Sequence, residues 1–128
     1  MGVTNQSIKC TVMIVDDTVF MRDQLRDIME SSGFSVIAEA SNGVEAVAKY
    51  WELCPNVTLM DVIMPNKNGI DATRDIIAFD KNAKVVMCSS IEHEALIVSA
   101  NKAGARGVIF KPFVKKQVLE IVNSVIEN

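Results

Sequence analysis

Short apolar runs alternate with segments of helical periodicity along almost the whole chain, and this alternation restricts the fold more than any other feature. Short apolar runs bounded by turn-forming residues predict β-strands, and apolar residues three or four apart predict helices. The predicted strands are residues 11–15, 36–40, 57–60, 84–88 and 108–110. The predicted helices are residues 18–32, 44–53, 70–79, 91–103 and 114–126.

The regular order of strand and helix predicts a parallel sheet, because parallel neighbours are joined by right-handed crossover connections. The first, third and fourth strands are apolar without polar alternation, which is typical of strands covered by helices on both faces. Glu39 in the second strand indicates an edge position. We therefore predict a doubly wound α/β fold of the flavodoxin-like (β/α)5 type, with a five-stranded parallel sheet in the order 2-1-3-4-5.

Length and charge exclude several classes of protein. The 128 residues have room for one domain, so residues 1–128 are treated as a single domain in which residues 1–8 form a flexible N-terminal arm. Only two residues follow Ile126, so we expect no output domain in this chain.

The net charge of −3 suits neither nucleic acid nor an anionic membrane surface. No apolar run approaches the ~20 residues of a membrane span, and the N-terminus lacks the pattern of a signal peptide.

The cysteines indicate a reducing environment. Cys10, Cys54 and Cys88 cannot all pair, none lies in a C-x-x-C spacing, and His93 is the only histidine. We therefore expect neither a disulfide framework nor a zinc site, and we expect a cytoplasmic protein. Trp51 and the methionines are predicted to fill the core.

Polar side chains gather where the predicted strands end. In open α/β sheets, ligands bind outside the carboxyl ends of the strands, near the point where the strand order reverses. The residues that follow the first, third, fourth and fifth strands are Asp16 and Asp17, Asp61, Ser89, and Lys111. Three neighbouring carboxylates repel one another unless a cation lies among them, and hard oxygen ligands suit Mg²⁺.

The same set of groups suits a phosphoryl group. A metal ion, the Lys111 ammonium and the Ser89 hydroxyl around one carboxylate form a receptor for phosphoryl oxygens. Asp61 has no other evident role, so it is the candidate nucleophile.

Each residue also has a simpler interpretation. Asp16 and Asp17 are equally suited to capping the first predicted helix. Taken singly, Asp61 fits a turn cap, Lys111 a solvated surface residue, and Ser89 with Ser90 a cap for the following helix. The convergence of four strand ends on one edge favours the phosphoryl site.

The motifs around these residues resemble those of a known family. They are residues 14–17 (IVDD), 59–65 (LMDVIMP) with Asn68 and Gly69, 86–90 (VMCSS), 103–105 (AGA) and 110–113 (FKPF). In combination they resemble the receiver domains of bacterial two-component response regulators, most of all the single-domain CheY-like chemotaxis type. The resemblance covers about residues 9–126.

The resemblance implies a role for each site residue. Asp61 would accept a phosphoryl group from a histidine kinase. Mg²⁺ would be bound by Asp17, by Asp61, by Asp16 partly through water, and by the backbone carbonyl of Ile63. Lys111 would pair with a phosphoryl oxygen, and the peptide bond that follows it would be cis. Ser89 would move toward the phosphoryl group and shift the domain to an active conformation.

Departures from the family pattern lead to two further expectations. Val108 occupies a position that is often aromatic, so we expect a weaker or different coupling between Ser89 and the face built by the last two helices and the last strand. Ile63 and Ile91 occupy positions that often carry polar groups orienting the attacking water, so we expect slow self-dephosphorylation. Phe20 lies off the apolar stripe of its helix and is either a stray surface aromatic or a contact for the kinase.

Several functions and partners remain open at this point. The rivals to a signalling switch are a flavodoxin-like nucleotide or flavin binder and an aspartate-nucleophile phosphatase. We expect no enzyme activity beyond the domain's own phosphotransfer and slow self-dephosphorylation.

The expected partners are a histidine kinase and an output protein such as a flagellar motor switch component, unless the chain is a receiver excised from a larger regulator. The wide apolar stripe of residues 114–126 indicates either deep packing or a partner face, so the expected monomer has a dimer as its alternative.

Overall fold

The computed structural model describes residues 9–128, in which five strands alternate with five α-helices. The N-terminal arm predicted for residues 1–8 lies outside the described residues. The strands are β1 Thr11–Val15, β2 Ser35–Ala40, β3 Val57–Asp61, β4 Val85–Ser89 and β5 Gly107–Phe110. The helices are α1 Val19–Glu30, α2 Gly43–Leu53, α3 Gly69–Phe79, α4 Ile97–Ala103, which follows a 3₁₀ segment Ile91–Leu96, and α5 Lys115–Glu127.

The sheet confirms the predicted topology. All four strand pairs are parallel, and the order is β2-β1-β3-β4-β5. Val15 lies opposite Met60, and Asp61 lies opposite Cys88, so the carboxyl ends of β1, β3 and β4 are level with one another. The strand order reverses between β1 and β3, where the predicted carboxylates emerge.

Two apolar layers cover the sheet, one on each face. Alternate residues of a strand enter opposite layers: Met13 packs with α2, α3 and α4, whereas Ile14 packs with α1 and α5. Both residues are fully buried. This double burial explains the unbroken apolar runs of the inner strands.

The helices that follow β1, β2 and β3 start at capping side chains. Thr18, Asn42 and Asn68 each accept a hydrogen bond from the backbone N–H three residues later. Each cap satisfies one of the unpaired donors at a helix start and ends the preceding loop at a defined residue.

The predicted helix at residues 91–103 is only partly correct. Residues 91–96 form a 3₁₀ segment, and the α-helix begins at Ile97. The Ser90 side chain makes no capping hydrogen bond, so its predicted alternative role as a cap is wrong; it bonds instead to the Nδ1 atom of His93 at 2.9 Å. His93 has non-helical backbone angles. The α-helix therefore begins only at Ile97, although the apolar spacing of the sequence begins at Ile91.

Trp51 does not fill the core, which corrects the sequence-based expectation. Its side chain is 54% exposed, and its ring lies 5.8 Å from that of Phe79. The buried face of α2 consists of Ala46, Val47 and Tyr50, so the neighbouring tyrosine occupies the interior position.

The last helix packs deeply, as one of its two interpretations predicted. Val118, Val122 and Val125 are buried, and Leu119, Ile121 and Ile126 pack partly buried against the same layer. Among the helices of residues 9–128, none combines the length and apolar character that crossing a bilayer demands.

The fully buried Thr58 of β3 generates a stability prediction. Its hydroxyl has no hydrogen-bond partner within residues 9–128. Because an unsatisfied buried hydroxyl costs free energy, Thr58→Val should raise the free energy of unfolding by about 1 kcal/mol, measured by urea denaturation. The control is Thr73→Val, because the equally buried Thr73 hydroxyl contacts the Met87 sulfur at 3.6 Å and should yield a smaller gain. Lower stability of Thr58→Val would contradict this account.

Candidate functional site

Three of the predicted site residues meet directly at the carboxyl edge of the sheet. The Lys111 ammonium lies 3.2 Å from Oδ2 of Asp16 and 3.2 Å from Oδ1 of Asp61. Asp16 is 1% exposed and Asp61 6% exposed. One ammonium therefore bridges two buried carboxylates that come from neighbouring strands.

The third carboxylate completes an acidic cluster. Asp16, Asp17 and Asp61 each offer one carboxylate oxygen, and these three atoms lie within 4.8 Å of one another. Asp17 is exposed, so a hydrated cation can reach the cluster from solvent. Closely spaced carboxylate oxygens that remain open to water are the donors that Mg²⁺ prefers, so the residues present fit this ion.

The oxygens of Asp16 are already engaged. Its Oδ1 accepts hydrogen bonds from the backbone N–H of Thr18 at 2.9 Å and from the Thr18 hydroxyl at 3.1 Å. Its Oδ2 faces Lys111. Both Asp16 oxygens therefore have partners within the pocket, so a cation that bound this carboxylate directly would have to displace one of them.

Backbone hydrogen bonds place the three loops that carry the site. The Asp16 N–H donates to Ala40 at 3.1 Å, the Val62 N–H to Cys88 at 3.2 Å, and the Lys111 N–H to Ser89 at 2.8 Å. Each bond continues the sheet pairing at the point where a strand gives way to its loop. The positions of the functional side chains therefore follow from the sheet itself.

Close packing also restrains the loop between β3 and α3. The Gly69 N–H donates to the Val62 carbonyl at 2.9 Å, and a methyl group at Gly69 would overlap the carbonyl oxygen of Asp61. Only glycine allows this approach to the strand end. Across the site, the Lys111–Pro112 peptide bond is cis, as the family resemblance implied.

The electrostatics of the pocket disfavour a charged Asp61. Burial, followed by repulsion from Asp16, raises the pKa of Asp61 to about 6, although the Lys111 ammonium acts in the opposite direction. Burial acts to lower the pKa of Lys111, but the Asp61 and Asp16 carboxylates outweigh it and raise that pKa. The ammonium stays charged, while the metal-free pocket carries more negative charge than one lysine compensates.

The other residues singled out from the sequence are Ser89, Ile63, Ile91 and Val108. Ser89 ends β4 and is 1% exposed, with its hydroxyl donating to the Ser90 carbonyl at 2.9 Å. Ile63 lies on the loop directly after β3, and Ile63 and Ile91 are 47% and 70% exposed. Val108 is partly buried and packs against the layer formed by α2, α3 and α4.

Sequence reasoning missed two residues that support the pocket, Thr18 and Arg22. Thr18 holds the Asp16 carboxylate, and Arg22 donates from Nη1 to the Asp16 backbone carbonyl at 2.7 Å. Arg22 also donates from Nε to Glu39 at 2.9 Å. The signal available in the sequence was Glu39, a charged residue within an otherwise apolar strand.

The fold and the site together define the class of protein. A doubly wound five-stranded sheet with an acidic pocket at its switch point and a lysine across it matches the arrangement that the resemblance to receiver domains implied. The profile of the response regulator receiver domain matches residues 12–123. The chain therefore belongs to the response regulator receiver domain family.

The similar proteins include several chemotaxis proteins named CheY. The chemotaxis protein CheY of Thermotoga maritima is 48% identical over 114 residues, which cover 89% of this chain and 95% of that protein. The CheY of Bacillus subtilis is 43% identical over 112 residues, covering 88% and 93%. The crystal structure of the CheX–CheY–BeF3–Mg complex from Borrelia burgdorferi superposes with a TM-score of 0.89 at 39% identity, covering 95% of this chain and 92% of that one.

The raised pKa of Asp61 predicts how stability depends on pH. Its pKa in the folded protein is about 6 against an ordinary value of 3.8, so the folded state binds the proton more tightly and metal-free stability falls as pH rises between these values. Asp61→Asn removes this cost and should raise the free energy of unfolding by about 1–3 kcal/mol near pH 8.

The measurement is urea denaturation in the presence of a chelator, repeated at lower pH, where the gain should shrink. Asp23→Asn is the control, because Asp23 is an exposed carboxylate of α1. A gain that is constant between pH values on either side of 6 would show that the Asp61 charge is not its cause.

Proposed function

We propose that this chain is a phosphorylation-controlled switch in which Asp61 accepts a phosphoryl group from a histidine kinase. The observation that carries the proposal is the placement of the Asp61 carboxylate 3.2 Å from the Lys111 ammonium, inside an acidic cluster suited to Mg²⁺. Residues 1–128 act as one receiver domain. The identity of 48% with a chemotaxis CheY supports a role in chemotaxis signalling.

The Asp61 carboxylate acts as the nucleophile. One of its oxygens attacks the phosphorus atom of a phosphorylated histidine, and an O–P bond forms as the P–N bond breaks. The imidazole, protonated at its other nitrogen, takes the electron pair of the broken bond and leaves as the neutral ring. Asp61 must be ionised for this step, and a bound cation favours that form.

The acidic cluster would hold the metal that this chemistry needs. Asp17 and Asp61 would bind Mg²⁺ through their side chains, Asp16 would act partly through water, and the backbone carbonyl of Ile63 would complete the protein ligands. When bound, Mg²⁺ supplies positive charge that offsets the carboxylates and the phosphoryl oxygens.

Lys111 and Ser89 respond to the new phosphoryl group. The Lys111 ammonium pairs with a phosphoryl oxygen, since it already lies beside the acceptor carboxylate. The Ser89 hydroxyl leaves its present acceptor, the Ser90 carbonyl, and bonds to the phosphoryl group. This movement shifts the population of the domain toward its active state.

The partners follow from the same proposal. Phe20 is 72% exposed near the start of α1, beside the acidic loop, which supports a contact with the kinase. The output partner is a protein such as a flagellar motor switch component. The Borrelia CheY is described in complex with CheX, which supports a protein rather than a nucleic-acid partner. We infer a cytoplasmic protein that catalyses only its own phosphotransfer and slow self-dephosphorylation.

The rival functions fit the site less well. A flavin or nucleotide phosphate would meet Asp16 and Asp17 at the start of α1, and these carboxylates would repel it. A phosphatase of the aspartate-nucleophile type commonly has a second acid two residues after its nucleophile, where this chain has Ile63.

Chemical phosphorylation tests the acceptor. Acetyl phosphate with Mg²⁺ should add one phosphoryl group to the protein, detected by intact-mass spectrometry and located at Asp61 by borohydride reduction and peptide mapping. Asp61→Asn should lose the label because the amide is not nucleophilic, whereas Asp23→Asn should keep it. Unchanged labelling of Asp61→Asn would overturn the proposal.

The lifetime of the phosphorylated state is a separate prediction. Ile63→Asn should accelerate hydrolysis of the aspartyl phosphate severalfold, because an amide near the acceptor can orient water where isoleucine cannot. The decay of radiolabelled protein measures this rate. Leu53→Asn is the matched control, since Leu53 is another exposed apolar residue and ends α2 outside the site. An unaltered decay for Ile63→Asn would refute a shielding role for Ile63.

A further inference from the structure

We propose that Arg22 is a positioning residue that, together with Glu39, aims the Asp17 carboxylate at the metal position. The inference rests on the proposed function of the acidic pocket. Arg22 lies on the first full turn of α1 and its side chain is 16% exposed. It joins two elements through separate donors: Nη1 reaches the Asp16 backbone carbonyl at 2.7 Å, and Nε reaches Glu39 of β2 at 2.9 Å.

The Asp16 carbonyl is the effective point for such a contact. This oxygen belongs to the peptide group that joins Asp16 to Asp17, and that group is planar. On its other side, Asp16 is held by the hydrogen bond from its N–H to Ala40. Fixing both ends of Asp16 sets the orientation of the following peptide plane, and so the direction in which the exposed Asp17 side chain leaves the backbone.

Glu39 is itself firmly held, so it can anchor Arg22. Arg26 donates from Nε to the other Glu39 oxygen at 2.8 Å, and the Lys49 ammonium donates to the Glu39 backbone carbonyl. Glu39 is 26% exposed at its side chain and belongs to the edge strand of the sheet. Only the planar guanidinium of arginine offers two donors in fixed directions for the two acceptors.

The positive charge of Arg22, taken alone, is expected to weaken Mg²⁺ binding. A positive side chain beside a cation site weakens cation binding, so an arginine at this place is useful only if its charge is compensated and its geometry matters. The ion pair with Glu39 supplies the compensation. Removal of Arg22 therefore separates the two effects: loss of positioning weakens Mg²⁺ binding, whereas loss of charge would strengthen it.

The experiment is a calorimetric titration of the whole chain with MgCl2, without a phosphodonor. Arg22→Ala and Arg22→Lys should both weaken Mg²⁺ binding about tenfold, since one ammonium cannot serve both acceptors in the guanidinium geometry. Glu39→Gln should also weaken binding, because it leaves the arginine charge uncompensated. Arg26→Ala is the matched control: it loses a Glu39 contact but none to Asp16, so its affinity should fall clearly less than that of the Arg22 variants.

Two metal-free measurements separate positioning from general stability. Urea midpoints in a chelator should fall similarly for Arg22→Ala and Arg26→Ala. Hydrogen exchange of the Thr18 N–H, which donates to Oδ1 of Asp16, should accelerate only in the Arg22 variants. If Arg22→Ala does not fold, Arg22→Lys carries the test because it keeps the charge. Mg²⁺ affinity that stays unchanged or rises in the Arg22 variants, or that falls equally in Arg26→Ala, would overturn the inference.

Acetyl phosphate labelling, combined with the Mg²⁺ affinities, distinguishes a failure of this inference from a failure of the proposed function. Wild-type protein that takes the acetyl phosphate label at Asp61, with Arg22 variants of normal Mg²⁺ affinity, refutes only the role of Arg22. Wild-type protein that binds Mg²⁺ but takes no label refutes the phosphoacceptor proposal and leaves the affinity comparison to decide Arg22. Wild-type protein that binds no Mg²⁺ overturns the inference about Arg22.

Discussion

The electrostatic conflict between buried carboxylates is the constraint on which the rest of the structure depends. Asp16 and Asp61 emerge from neighbouring parallel strands and share one ammonium, that of Lys111. Burial and mutual repulsion make full ionisation costly, as the raised pKa of Asp61 indicates. The metal-free pocket therefore has an excess of negative charge. A cation that binds there relieves the repulsion between the carboxylates, and this relief adds to its binding free energy. The buried carboxylates lower the folding stability of the metal-free protein, and cation binding restores that free energy.

The sheet can keep the repelling carboxylates close together because its backbone hydrogen bonds continue into the loops. Each loop of the site begins with one more backbone bond to a neighbouring strand, at Asp16, Val62 and Lys111. The side chains that follow have little freedom to separate. The Asp16 loop receives additional support from Thr18 and Arg22, so the acidic residue nearest the core is the most firmly held, while Asp17 faces solvent.

Sequence patterns predicted what depends on local order and missed what depends on distant contacts. The inner strands were predictable because burial on both faces makes them unbroken apolar runs. Once the strand order was known, the strand ends placed Asp61 and Lys111 side by side. The 3₁₀ start at Ile91 was missed because apolar spacing does not reveal whether a cap forms. The contact of Arg22 with Glu39 was missed because it joins residues 17 positions apart that carry no shared motif.

The exposed Trp51 has a consequence for optical work on this protein. It is the chain's single tryptophan, and it lies on the last turn of α2, which runs from the carboxyl edge of the sheet toward the opposite end. Its ring lies beside that of Phe79 and faces solvent. Intrinsic fluorescence therefore samples a surface remote from the carboxylates, and a quenching titration would record little of what happens among them. A spectroscopic reporter of the switch has to be introduced at the carboxyl edge.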